Sequence, residues 1–253
     1  MGHEWRPDDP KVAVVLLAHA EGVMLGGAIQ ALLESLAEAQ RAGIAVEVVA
    51  VLDRPTATTA SVVEAELGGR CTIVQTDFGD QGLARNEGVN HARAEYVAFL
   101  DGDDLWSANW LVEALRLCDS RPGRVIAHPE FNWLFGEEHS VLVHVDQESD
   151  AFDPEFLRFA NYWDAMHMAP AAVLRRHPFP PRDLKNGFAY EDWQWNCTTV
   201  AAGLVHKVAP DTIHFKRRRA SSQSEQSRRR RATIRSAPLA KLSRETSGGL
   251  RPV

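Results

Sequence analysis

The chain has 253 residues, 45% hydrophobic and 25% charged, with a formal net charge of -6, a composition that excludes a disordered or fibrous protein and allows a full buried core. No apolar run approaches the roughly 18 residues of a membrane span, and the amino terminus (MGHEWRPDDPK) is polar rather than a secretion signal, so the expected location is the cytoplasm. Cys71, Cys118 and Cys197 are odd in number and far apart, which argues for reduced, buried thiols and against a disulfide framework or a zinc site.

In chain order, Val12 to Ala18 (VAVVLLA) reads as a first strand. From Met24 to Gln40, the residues Leu25, Ala28, Ile29, Leu32, Leu33 and Leu36 recur at helical spacing and predict an amphipathic helix. Val46 to Leu52 is a second strand, Thr56 to Leu67 a second helix and Cys71 to Gln75 a third strand. A helix from about Gly82 to Arg93 leads into the apolar strand Glu95 to Leu100, and Trp110 to Cys118 forms a further helix. This alternation is the sequence form of a doubly wound α/β sheet.

The second half is less regular. Strands are expected at Val125 to His128 and Ser140 to Val145, a helix at Asp192 to Ala202, and short closing strands at Val205 to Val208 and Thr212 to Phe215. Trp133 and Trp163 read as core. From Lys216 onward the chain carries 12 Lys and Arg against 2 Asp and Glu, whereas the preceding residues hold 16 against 32. The runs Lys216 to Arg219 and Arg228 to Arg231 suit phosphates, an anionic membrane face or a protein partner, or form a solvated end; nucleic acid is not expected.

Chemistry concentrates after the strands. Asp101-Gly102-Asp103-Asp104 follows the strand EYVAFL, so three carboxylates lie on a loop at its carboxyl end, where open α/β sheets bind ligands. Such a loop can share a divalent cation with a diphosphate, although Asp and Gly also build ordinary turns. Asp53 ends the second strand, Gln81 to Gly88 (QGLARNEG) follows the third, and Glu191-Asp192 opens the late helix.

Together, in that order, Asp53, Ala84-Arg85-Asn86, Asp101-Gly102-Asp103-Asp104 and Glu191-Asp192 resemble glycosyltransferase family 2, the nucleotide-sugar-dependent transferases of the GT-A fold, over roughly residues 11 to 222. The resemblance implies a Rossmann-like, doubly wound mixed sheet flanked by helices across residues 1 to 222, and a basic, flexible tail from 223 to 253. It implies inverting, metal-dependent transfer from a nucleotide diphosphate sugar to a hydroxyl of a glycan, lipid-linked or protein-linked acceptor. By the same resemblance Asp103, with Asp101 and His214, would hold Mn²⁺ or Mg²⁺. Ala18, His19, Glu21, Asp53, Arg85, Asp101 and Gly102 would bind the donor, with Asp53 on the base. A carboxylate there suits the imide N–H of uracil and so favours UDP. Asp192 would be the catalytic base, oriented by Glu191, and Trp193 or Trp195 would stack on an acceptor sugar.

Two departures from the family pattern stand out. Leu52-Asp53-Arg54-Pro55 replaces the usual Asp-Asp-Gly-Ser, and Ala18-His19-Ala20-Glu21 stands where an aromatic residue is common. Two rivals remain: a sugar-nucleotide transferase, whose glycine-rich basic loop after the first strand is not evident in His19-Ala20-Glu21-Gly22, and a non-catalytic nucleotide- or glycan-binding domain of the same fold.

Overall fold

The computed structural model describes residue 6 and residues 9–219 and 222–236; most of the polar amino terminus and residues 237–253 of the basic tail lie outside the described residues. Nine strands form one mixed sheet: β1 Val12–Ala18, β2 Val46–Asp53, β3 Thr72–Thr76, β4 Tyr96–Asp101, β5 Leu105–Trp106, β6 Val125–Gly136, β7 Ser140–Val143, β8 Met168–Pro170 and β9 Val205–Arg218. The helices are α1 Leu25–Arg41, α2 Ala57–Leu67, α3 Gln81–His91, α4 Trp110–Ser120, α5 Ala171–Arg176, α6 Glu191–Ala201 and α7 Gln223–Arg229. The strand order is β3-β2-β1-β4-β8-β6-β9-β5, with β7 paired to the edge of β6.

The expected α/β alternation governs the first half. Strands β1 and β4 are buried along their whole length because helices cover both faces of the sheet. Successive β1 side chains divide between two cores: Val12, Val14 and Leu16 pack with α1 and α4, and Ala13, Val15 and Leu17 with residues of α3 and α5. The helix starts are chemically defined. Thr56 accepts from the Thr59 N–H and caps α2, while Asp80 accepts from the Leu83 N–H at 3.0 Å and caps α3.

Parallel register turns this core into a scaffold for a site. Ala18 lies beside Leu52, Leu17 beside Asp101, and Asp53 beside Thr76, so Ala18, Asp53 and Asp101 end together at the carboxyl edge. Backbone must approach closely there. A Cβ on Gly102 would lie 2.7 Å from the Leu17 carbonyl oxygen and 2.9 Å from Leu25 Cδ1, so only glycine seats the acidic loop against β1.

Several sequence expectations change in the second half. Strand β6 runs on to Gly136 rather than stopping at His128, because Pro129, which has no N–H to give, is accommodated at a register shift between Pro129 and Phe131. The two closing strands are one, β9, bent where Asp211 takes a left-handed conformation (φ 58°). Trp163 is core, but Trp133 is 47% exposed, stacked on Phe215 at the sheet surface. The tail does not begin as a free end at residue 223. Thr233 pairs with Phe188, the Thr233 N–H donates to Gly187 O at 2.9 Å, and the Arg235 N–H donates to Gln194 Oε1 at 2.7 Å, so residues 222–236 pack against the loop that carries Glu191 and Asp192. Among the described residues no helix is long and apolar enough to cross a membrane.

Helix α3 approaches the sheet through Gly88, where a Cβ would collide with Val15 Cγ1 and lie 3.1 Å from Val51 Cγ2. Gly88→Ala is expected to cost about 1–3 kcal/mol by overpacking, whereas Gly26→Ala in α1, with open space around it, gains up to about 1 kcal/mol of helix propensity. Urea unfolding of the two variants should therefore move in opposite directions.

Candidate active site

A cleft of about 700 Å³ opens at the carboxyl edge of the parallel strands. It brings Ala18, His19, Glu21, Asp53, Arg85, Asp101, Gly102, Asp103, Glu191 and Asp192 to one place, from five separate stretches of chain. His19 Nδ1 lies 2.5 Å from the Asp53 carbonyl oxygen, and the His19 N–H donates to Glu21 Oε2 at 2.6 Å, which folds the loop after β1 over the end of β2.

At the centre is a buried triad. Arg85, fully enclosed on α3, donates from Nη2 to both oxygens of Asp101 at 2.8 and 3.1 Å and from Nη1 to Glu191 Oε1 at 2.9 Å. Burial alone would lower its pKa, but Asp101 and Glu191 outweigh this and raise it, so the guanidinium stays charged. Sequence reasoning assigns Arg85 to the donor and Asp101 to the donor or metal; in the structure the two pair with each other, and Arg85 also bridges to Glu191. Glu191 is likewise an anchor, fixing the start of α6.

Asp192, the next residue, lines the cleft with Asn161 Nδ2 at 3.4 Å from its Oδ2. Burial, then the neighbouring Glu191 carboxylate, raise its pKa to about 6 against the pull of Lys216. Tyr190 before it is left-handed (φ 62°, ψ 60°), an uncommon conformation for a bulky residue, and it sets the direction in which α6 enters the site.

The acidic loop divides its labour. Asp104 is buried: its Oδ1 accepts from the Arg217 N–H at 2.7 Å and its Oδ2 lies 3.2 Å from His214 Nε2. The other ring nitrogen of His214 is 2.9 Å from Asp164 Oδ2. Burial opposes protonation of His214, but Asp164 and Asp104 prevail and raise its pKa to about 9. His214 thus sits between two carboxylates that favour its protonated form, and ligating a metal there would require the ring to give up that proton.

Asp103 is the least buried of the three loop carboxylates that line the cleft, and its Oδ2 meets Arg219 Nη2 at 2.5 Å. Burial and the Asp104 carboxylate push its pKa up to about 7 despite Arg219, with Asp101 and Glu21 adding to the effect. Negative charge is thus in excess around Asp103, a setting that favours a cation with oxygen ligands. Among the described residues no three His, Cys, Asp or Glu side chains form a cation cage. Mg²⁺ does not need one, because it binds through one or two carboxylates together with substrate phosphates and water; Asp103 fits that mode.

Asp53 is less free than its position suggested. Its oxygens accept from Thr76 Oγ1 at 3.0 Å, Phe78 N–H at 2.7 Å and Asp80 N–H at 3.2 Å, so it shapes the loop before α3 while one edge reaches the cleft. Neither Trp193 nor Trp195, expected to stack on an acceptor sugar, lines the cleft. Trp195 is buried against His167 and Phe179 and donates to His177 O, and Trp193 donates to Leu157 O at 2.7 Å. Both rings are tied into packing.

Among the cleft residues that sequence reasoning missed as site residues are Asn161, Asp164 and Tyr190. None stands in a recognisable motif. Asp164 lies 3.6 Å from Lys216 Nζ; its carboxylate helps raise the Lys216 pKa against burial, leaving a fixed positive charge inside the cleft.

The model of the Glycosyl transferase family 2 matches residues 13–179, more than half of the chain. The protein belongs to that family, and its fold is GT-A. Among solved structures, it is similar to S. aureus TarS 1-349 in complex with UDP-GlcNAc, with 20% identity, a TM-score of 0.61 and coverage of 85% of this chain and 60% of that one. Full TarS from S. aureus gives 17% identity and a TM-score of 0.62, over 83% of this chain and 37% of that one. The mannosyltransferase PcManGT from Pyrobaculum calidifontis, in complex with GDP-Man and Mn²⁺, gives 18% identity and a TM-score of 0.57, over 85% of this chain and 60% of that one. The chain thus spans about 60% of the TarS 1-349 and PcManGT structures and 37% of full TarS. No curated protein matches the sequence.

Removing the arginine of the triad leaves two buried carboxylates without a counter-ion. Arg85→Ala is expected to cost about 3–5 kcal/mol in urea unfolding. Arg85→Lys should recover only part of this, because an ammonium lacks the fork that reaches both partners. A loss below about 1 kcal/mol for Arg85→Ala would contradict the assignment of Arg85 as a structural bridge.

Proposed function

We propose that the protein is an inverting glycosyltransferase that moves a sugar from a nucleotide diphosphate donor, UDP-linked by preference, to an acceptor hydroxyl with Mn²⁺ or Mg²⁺. The observation that carries the proposal is the shared cleft of Asp103 and Asp192, two carboxylates raised above the usual range by different neighbours. Family membership and the donor complexes of TarS and PcManGT support the choice of a nucleotide sugar.

Asp103 would hold the cation, with Glu21 adding negative charge beside it. When bound, a divalent cation supplies Lewis acidity that stabilises charge on the departing diphosphate. Lys216, charged and inside the cleft, adds a fixed positive charge to that side. Asp53 and His19 form the wall at the end of β2 where the nucleoside would lie.

Asp192 takes the proton from the acceptor hydroxyl at a carboxylate oxygen as that hydroxyl attacks the anomeric carbon from the face opposite the diphosphate. Glu191 does not share this role. Its bond to Arg85 holds the first turn of α6, and its negative charge keeps Asp192 basic enough to act near neutrality.

Donor hydrolysis and transfer assayed with UDP-GlcNAc and GDP-Man in the presence of Mn²⁺ test the reading. Asp192→Asn should lower turnover about 10²–10⁴-fold and leave nucleotide binding intact, whereas Asp103→Ala should weaken metal-dependent nucleotide binding itself. Full turnover in both variants would end the proposal. The pH profile has a definite sign: Asp192 acts as a base only when ionised, so wild-type turnover should fall as pH drops through about 6, and the residual activity of Asp192→Asn should lack that limb.

A further inference from the structure

A second cavity, of about 430 Å³, adjoins the cleft and shares Tyr190, Arg218, Arg219, Ser222 and Ser224 with it. Its remaining walls are Glu137, Glu138 and Glu225, and Arg228 and Arg229 from α7. The second arginine run of the tail is therefore turned partly toward the site. Tyr190 stands at the junction, next to the Glu191-Asp192 pair, so the cavity extends from the side of the cleft where an acceptor hydroxyl would meet Asp192.

Its lining holds four arginines, Arg218, Arg219, Arg228 and Arg229, against three glutamates, Glu137, Glu138 and Glu225. Arg228 and Arg229 share one carboxylate, Glu225, at 2.8 Å each, so this pair carries one charge more than its partner. Arg218 Nε lies 3.4 Å from Glu138. At the junction, Arg219 Nε and Gln223 Oε1 are buried without a hydrogen-bond partner, a donor and an acceptor that a bound polar molecule would satisfy. The packing of residues 233–235 against 187–189 and Gln194 holds this wall in place relative to α6.

We infer that this second cavity is an extended acceptor subsite, which receives an anionic oligomer whose terminal hydroxyl reaches Asp192. The inference rests on the glycosyltransferase reading for the identity of the reacting end. Serine and tyrosine hydroxyls suit a polyhydroxylated chain, and the excess guanidinium charge suits carboxylate or phosphate groups along it. A planar anionic membrane fits less well, because the arginines line a concavity rather than a flat face.

The test is binding to the full-length protein saturated with UDP and Mn²⁺, measured by fluorescence anisotropy. Labelled probes of matched length are an oligogalacturonate (carboxylate), a glycerol-phosphate oligomer (phosphodiester) and a neutral maltooligosaccharide; phosphatidylglycerol vesicles form a fourth arm. At least one anionic oligomer should bind about tenfold or more tightly than the neutral one, a difference worth about 1.4 kcal/mol, and added salt should weaken it. The preferred oligomer identifies the anionic group. In the Arg228→Ala/Arg229→Ala variant, whose substituted side chains are 76% and 64% exposed, that preference should vanish while UDP binding is unchanged.

Equal binding of neutral and anionic oligomers, or stronger arginine-dependent capture by vesicles than by either oligomer, would overturn the inference. Donor hydrolysis is scored separately. Its absence with intact anion binding defeats the glycosyltransferase reading alone; its presence with no anion preference defeats the subsite alone.

Discussion

The bridge from Asp101 through Arg85 to Glu191 is the interaction on which the site depends. It spans three elements far apart in sequence, the end of β4, the second turn of α3 and the start of α6. It ties the start of α6 in the second half of the chain to the beginning of the acidic loop. Arginine suits the position because its rigid fork meets one carboxylate with both oxygens and still reaches another. The cost of burying such a charge is large, and full pairing on both sides is what makes it tolerable. Arg85 thereby fixes where the backbone of residue 192 begins its helix, and so where the proposed base points.

A second clasp works in parallel. Asp104 grips β9 through the Arg217 N–H and His214, and His214 passes the connection to Asp164. Asn132 Nδ2 on β6 donates to the same Asp164 oxygen at 2.8 Å. One end of the acidic loop is thus tied to α3 and α6, the other to β9 and β6. Asp103 lies between two fixed neighbours, which is why its carboxylate is free to face the cleft while crowded enough to be raised in pKa.

Much of this was legible before the fold was known, for a physical reason. Hydrophobic alternation and runs of buried-strand residues report local structure directly, so β1, β2, β4 and α1 were read nearly to their ends. The ordered carboxylates Asp53, Asp103 and Asp192 were legible as a set because a parallel sheet brings strand ends to one edge. What the residues do to one another was not. The pairing of Arg85 with Asp101 was hidden because their mutual burial is a tertiary fact, and the place of His214 between Asp104 and Asp164 was hidden because Asp164 comes from an irregular segment with no periodicity to place it. Trp193 and Trp195 were judged by chemistry suited to sugars, but the faces they occupy on α6 are decided by packing against Leu157 and Phe179.

The tail shows the same limit and reveals more about function. By composition, Ser, Gln and Arg after Lys216 resemble a solvated end, because they offer no apolar stripe for a core. The segment 222–236 packs through hydrogen bonds instead, to Gly187, Ala189 and Gln194, and Ser222 caps α7 by accepting from the Glu225 N–H at 3.1 Å. A basic segment secured this way on the loop before Glu191 cannot change its position without affecting the entrance to the cleft. Arg219, already on Asp103, adds a direct electrostatic link between the start of that segment and the carboxylate proposed to hold the cation. A cation held at Asp103, as proposed, would compete with Arg219 for the same carboxylate, so the proposed cation site and the basic wall meet in that one contact.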